Sequence, residues 1–139
     1  MRGKSDLLSH GEKLRIVEAL ETIRKQVSWK PSKNVEHLNK RKRMRHLATS
    51  ASMQDYDRII LDIVKDIRNV IYLYEFRGVH YYAVRGYFAD REWLILFGAG
   101  GLMETAFPPQ DMDEYLERRG FVLLGRIEEV LGWTQEAGI

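Results

Sequence analysis

Between Val70 and Pro109 the apolar positions come in short bursts, VIYLYEF, VHYYAVRGYF, EWLILF and LMETAFPP, each followed by a break. The breaks between bursts are Arg77-Gly78, Ala89-Asp90-Arg91 and Gly98-Ala99-Gly100-Gly101. Val, Ile, Tyr, Phe and Trp in runs this short, punctuated by Gly and Asp, predict consecutive β-hairpins. Such short connections force neighbouring strands antiparallel, since a parallel return needs a crossover of about a dozen residues. The expected fold is α+β: N-terminal helices packed on one face of a four-stranded antiparallel β-meander, with short C-terminal helices. In the second run Val79, Tyr81, Ala83, Arg85 and Tyr87 alternate with His80, Tyr82, Val84, Gly86 and Phe88. Tyrosines with Arg85 among them suit a half-wet face, open either to plain solvent or to a substrate.

The pattern changes period on either side of this region. Ser9 and Glu12 have capping-box spacing, and Leu14, Val17, Leu20, Ile23 and Val27 follow at helical steps. That helix is expected to stop at Trp29-Lys30-Pro31-Ser32, because the residue before Pro is pushed out of the α region. Asn34 is placed to cap a second helix, VEHLNKRKRMRHLAT, and Ser52 with Asp55 a third. In the third, Tyr56, Ile59, Ile60, Ile63, Val64 and Ile67 make a wide apolar stripe, the main helix across the sheet, with Asn69 as its stop. After Pro108-Pro109, residues 111–118 read as a short helix. Phe121 to Leu124 is either a brief strand or an extended segment, and Arg126 to Leu131 a further turn or two of helix. Residues 1–8 and the stretch after Trp133 are expected to be loose.

A chain of 139 residues is expected to be one domain, residues 1–139, with room for a real core. Its 45% apolar and 30% charged content is ordinary for a globular protein. The chain has no Cys, which removes a disulfide framework, a zinc ribbon and a thiol nucleophile. A cytoplasmic setting without membrane contact is the expectation, because no apolar run approaches a bilayer span and no signal-peptide pattern opens the sequence. Net charge, at +2, implies nothing about partners; its distribution does.

Residues 40–45 read Lys-Arg-Lys-Arg-Met-Arg, five cations in six positions, flanked by His37 and His46. On a regular helix His37, Arg41 and Arg45 fall at successive four-residue steps and line one face. A charge run is usually a solvated face. The two histidines and the lack of acids within the run favour a phosphate-binding patch of Lys40, Arg41, Lys42, Arg43 and Arg45. Other motifs are thin. Gly98-Ala99-Gly100-Gly101 lacks the Lys-Ser/Thr and the helix of a phosphate loop, so it reads as a turn. The histidines show no His-x-x-x-His pair and no carboxylate cluster, so neither a metal nor a cofactor is expected.

The order of these parts carries a resemblance. A basic helix with the step His37-Leu38-x-x-Arg41, an amphipathic helix, a sheet with Arg85, and a last strand ending Thr105-Ala106-Phe107-Pro108 resemble the phage and toxin nucleases of the barnase–EndoU–colicin–RelE-like superfamily. The resemblance covers about residues 34–118. Small domains of that group pair a helix-borne His with Arg or Lys and a terminal strand bearing Ser or Thr. This chain departs from the pattern in placing Lys42, not His, after Arg41; His46, preceded by Arg45, is the alternative imidazole. The resemblance implies a toxin-like or phage-related ribonuclease, with RNA as partner, an inhibitor or antitoxin protein as a second, and no metal. Its catalytic set would be His37 or His46, with Arg85 and Thr105. Histidine suits proton transfer near neutral pH, Arg forks match phosphate oxygens, and Thr105 can donate to a non-bridging oxygen. Tyr81, Tyr82 or Tyr87 would stack on bases. Alternatives from other classes are an RNA- or protein-binding module without chemistry, and an interaction or immunity-type protein using the aromatic sheet face.

Overall fold

The structure is a computed structural model and describes residues 8–136. Helix α1 spans His10–Lys25, and the Ser9 side chain accepts from the Glu12 N–H at 3.1 Å, as its spacing predicts. The helix ends earlier than Pro31 would require. Gln26 turns extended, and Ser28–Trp29 form a two-residue strand, β1, paired parallel with Leu102 and Met103. Helix α2, Lys33–Arg43, begins after Ser32 in the left-handed region, so Asn34 is inside the helix and not its cap. Helix α3, Met53–Lys65, carries the expected capping box between Ser52 and Asp55. Asn69 closes the following turn by donating to the Ile63 carbonyl at 2.8 Å. Ile67 falls beyond the helix and is exposed, so it is not part of the buried stripe.

The class is α+β, but the sheet is larger than the sequence pattern indicates. It holds six strands in the order β1-β5-β4-β3-β2-β6. Strands β2 (Val70–Phe76), β3 (Val79–Phe88), β4 (Arg91–Phe97) and β5 (Leu102–Phe107) are consecutive antiparallel neighbours. Parallel β1 extends one edge, and antiparallel β6 (Val122–Arg126) the other. The brief strand read at Phe121 to Leu124 is β6, but the edge placement of β1 and β6 is beyond reach of hairpin punctuation, because their partners lie far away in the chain. The first two hairpins turn on residues with positive φ, Arg77-Gly78 and Ala89-Asp90, the geometry that matches strand twist. The third connection passes through a short 3₁₀ turn, Ala99–Gly101. Gly101 has φ of 77°, and a Cβ there would stand 2.9 Å from the Ala19 carbonyl oxygen, so the turn can lie against α1 only without a side chain.

Two cores form, one on each side of the sheet. Ile16, Leu20 and Ile23 of α1 and Tyr56, Ile60 and Val64 of α3 pack on Ile71, Val84, Trp93, Ile95 and Phe97. On the opposite side Tyr72, Ala83 and Leu94 meet Met112 and Leu116 of α4, Met112–Arg119. The expected open face is therefore partly roofed by α4. Short helices α5 (Ile127–Leu131) and α6 (Trp133–Glu136) close the described chain against α1. No helix among the described residues is long and apolar enough to cross a membrane.

Candidate functional site

Beyond Met103, β5 has no strand on its outer side among the described residues, and α2 lies along it instead. The Tyr56 hydroxyl donates to the Ala106 carbonyl at 2.5 Å and accepts from the Ala106 N–H at 3.3 Å, occupying the edge groups there. Burial raises its pKa to about 12. Beside it, His37 Nδ1 shares a hydrogen bond of 3.2 Å with Thr105 Oγ1. The imidazole stacks on Trp29 at 6.0 Å between centroids, and Trp29 donates its indole N–H to Asp57 at 2.8 Å. Two expected site residues, His37 and Thr105, thus meet.

One turn along α2, Arg41 enters the interior and keeps only 3% of its surface exposed. Its guanidinium stands 5.5 Å over the Phe107 ring and places Nη1 3.0 Å from His46 Nδ1. A guanidinium has only donors, so His46 Nδ1 accepts and the imidazole is the neutral tautomer protonated at Nε2. Arg41 therefore does not belong to the exposed patch where helical spacing puts it. Nor does Arg45 continue its face, because α2 stops at Arg43 and Arg45 is left-handed at φ 61°. The reversal is closed by N–H groups of His46 and Leu47 donating to the Arg41 carbonyl at 2.8 and 3.3 Å. It returns His46 to Arg41, which a continuous helix would not do. Burial foremost, then nearby cations including Arg41, lowers the pKa of both imidazoles.

Lys40, Arg43 and Arg45 are exposed around this corner and Lys42 half-exposed, and none of the four forms an ion pair among the described residues. Met44 and His46 line an open cleft of about 1210 Å³, whose other walls include Tyr87 and Phe107, the cations Arg91 and Arg118, and the carboxylates Asp90, Glu92, Asp111 and Glu114. Tyr87 is 70% exposed, whereas Tyr82 is a core residue set edge-on to Phe97 and presents no face for stacking.

Arg85 stands elsewhere. On the α4 side of the sheet it donates to both Glu92 oxygens at 2.5 and 2.9 Å and to Asp113 at 2.9 Å. These partners, Glu92 first, raise its pKa. A guanidinium held by two carboxylates is a structural clamp between β3, β4 and α4, the cross-strand pairing with Glu92 that is the plainer reading of its position. The constellation of one histidine, Arg85 and Thr105 is not assembled; His37, Thr105, Arg41 and His46 are the groups that gather. No family model, curated protein or solved structure matches the chain. Sequence reading passed over Trp29, taken as a helix stop, and Trp93, whose ring lies 6.5 Å edge-on to His46. The signal for Trp93 was its alternation with Ile95 and Phe97, which puts it on the helix-covered face.

Proposed function

We propose that the corner where α2 ends binds the phosphate backbone of single-stranded RNA. The observation that carries this is the group of Lys40, Lys42, Arg43 and Arg45, without ion pairs among the described residues and set in the corner whose Met44 and His46 line an open cleft. Unpaired cations attract a polyanion by releasing its condensed counterions. Exposed Tyr87 in the same cleft offers a ring for a base to stack on.

A second reading, cleavage of the bound strand without metal in the manner of the nuclease superfamily that the residue order resembles, is favoured by the meeting of His37 with Thr105 and of His46 with Arg41. Both rings are held through Nδ1, so Nε2 is the nitrogen left to a substrate: a base on His37 when its Nδ1–H donates to Thr105, and an N–H donor on His46. Attack of a ribose 2′-hydroxyl on its own phosphate would need such a base, and a protonated imidazole at the leaving oxygen. Arg85 has no part in it.

The test is RNA binding across a salt series. Changing Lys40, Lys42, Arg43 and Arg45 together to Ala should flatten the log–log salt dependence by roughly two to three units, while Arg85→Gln leaves it unchanged. Equal slopes in parent and quadruple variant would reduce the patch to a solvated surface. Cleavage is scored on the same RNA in EDTA, by 2′,3′-cyclic phosphate ends. His37→Ala and His46→Ala are run in parallel, and loss of a general base should cost about a hundredfold or more. Intact RNA leaves the binding function alone.

A further inference from the structure

Arg41 is a buried cation that no carboxylate among the described residues pairs with. Only the Tyr56 phenol favours its charged form, and that hydroxyl, with its pKa near 12, is uncharged at neutral pH. Its hydrogen-bonding partner, His46, is a neutral ring. Its Nε–H is fully buried with no acceptor among the described residues, and the other buried side-chain donor in that condition is the Trp93 indole N–H. Both orphaned donors belong to residues touching His46, one through the hydrogen bond and one through its ring. A buried charge without a counter-charge is costly, and so is each buried donor left unmade. A positive charge and two spare N–H groups thus neighbour a single imidazole, while the cleft on its outer side carries Asp90, Glu92, Asp111 and Glu114 beside Arg91 and Arg118. His46 and Phe107, both in contact with the guanidinium, are themselves walls of the cleft.

We propose that Arg41, with Trp93 and His46, forms an inner site for one phosphate group, reached from the cleft when the His46 imidazole swings off Arg41. The anion takes the acceptor place that His46 Nδ1 holds and supplies the missing counter-charge. His46 sits just past the left-handed Arg45, in a turn outside any helix, so its ring can move without unwinding α2. Displaced from Arg41, it faces the anion as a donor through Nε2–H. Arg suits this place better than Lys, because its planar fork meets two oxygens of one phosphate. The phosphate can come from an RNA backbone or from free phosphate. For the first source only, the inference rests on the RNA-binding function proposed above.

The experiment adds inorganic phosphate to the full chain at constant ionic strength, with chloride as reference. Thermal unfolding and the His46 ring nitrogen resonances are followed together. Phosphate is expected to raise Tm, as a ligand specific to the native state does, and to move the His46 Nδ1 resonance. Arg41→Met should fold, because an apolar chain of similar volume replaces an unpaired buried charge, and should abolish both responses. Arg41→Lys, which keeps the charge and loses the fork, should weaken binding at least about tenfold. No response in the parent, or an unchanged response in Arg41→Met, overturns the site. The quadruple Ala variant of the outer cations should keep the phosphate response while losing RNA, so the two proposals fail separately. A short oligoribonucleotide without terminal phosphate distinguishes the sources: competition with phosphate for the His46 signal assigns the site to the RNA backbone, and its absence assigns it to free phosphate.

Discussion

The Tyr56 hydroxyl binds both backbone groups of Ala106, and those are the groups a further strand would otherwise have paired. Tyr56→Phe keeps the ring and leaves a buried N–H and C=O without their partner, so it should cost about 1–3 kcal/mol in urea unfolding. The histidines carry a pH dependence whose sign follows from their burial. Both have folded pKa values below the ordinary 6.5, so the unfolded chain holds more protons in the window beneath that value. Stability is then full above about pH 6.5 and falls as the pH drops through and below it. Unfolding free energy measured at pH 7.5 and pH 5.5 should fall in the parent and fall less in His37→Gln and His46→Gln. The same depression bears on the proposed cleavage, because both rings favour the neutral form. His46 has its Nδ1 lone pair taken by Arg41 and so offers an N–H rather than a base. A protonated imidazole would require a bound phosphate to restore its proton affinity.

At the scale of elements, the end of α2 decides what its cations can do. A helix continuing through Arg45 would align it with His37 and Arg41; the left-handed turn splits them, sending Arg41 inward and leaving Arg45 in solvent. Left-handed backbone costs a non-glycine residue about 1–2 kcal/mol. Arg45→Gly should therefore raise stability, by about 0.5–1 kcal/mol after glycine's own entropy loss, while lowering RNA affinity by one cation's share. An RNA affinity unchanged in that variant would place Arg45 outside the interface.

Over the whole molecule, the sheet is a partition with different work on its two sides. Trp93 lies on the helix-covered side, His37, Arg41 and His46 gather at the β5 edge next to it, and the α4 side is tied down by Arg85 between Glu92 and Asp113. The smaller core around Leu116 secures α4 over the sheet. Leu116→Ala should cost about 2–4 kcal/mol, seen as a lower urea midpoint at unchanged slope. The cleft between α4 and the α2 corner should loosen with it, so RNA affinity is expected to drop although no cation is lost. The formal charge of +2 over the chain is too small to direct RNA from a distance, so the proposed binding would rest on the local patch.

Local chemistry was readable without coordinates. The caps at Ser9 and Ser52, the apolar stripe of α3 and the hairpin turns all depend on residues within a few positions of one another, and sequence spacing records such relations directly. The basic character of residues 40–45 is legible for the same reason, whereas the candidacy of His37, His46 and Thr105 came from the resemblance in residue order; His37 and Thr105 do meet. What spacing cannot carry is partnership across the chain. Ser28–Trp29 meets a strand more than seventy residues later, β6 completes the other edge, and α4 folds back onto the second face. The fate of each arginine was settled the same way. Arg85 looks like a phosphate clamp until Glu92 and Asp113 close on it, and Arg41 looks like a surface cation until the turn at Arg45 delivers His46 to it. A side chain's charge is a property of the sequence; whether that charge meets solvent, a carboxylate or an orphaned pocket is decided by which distant elements pack around it.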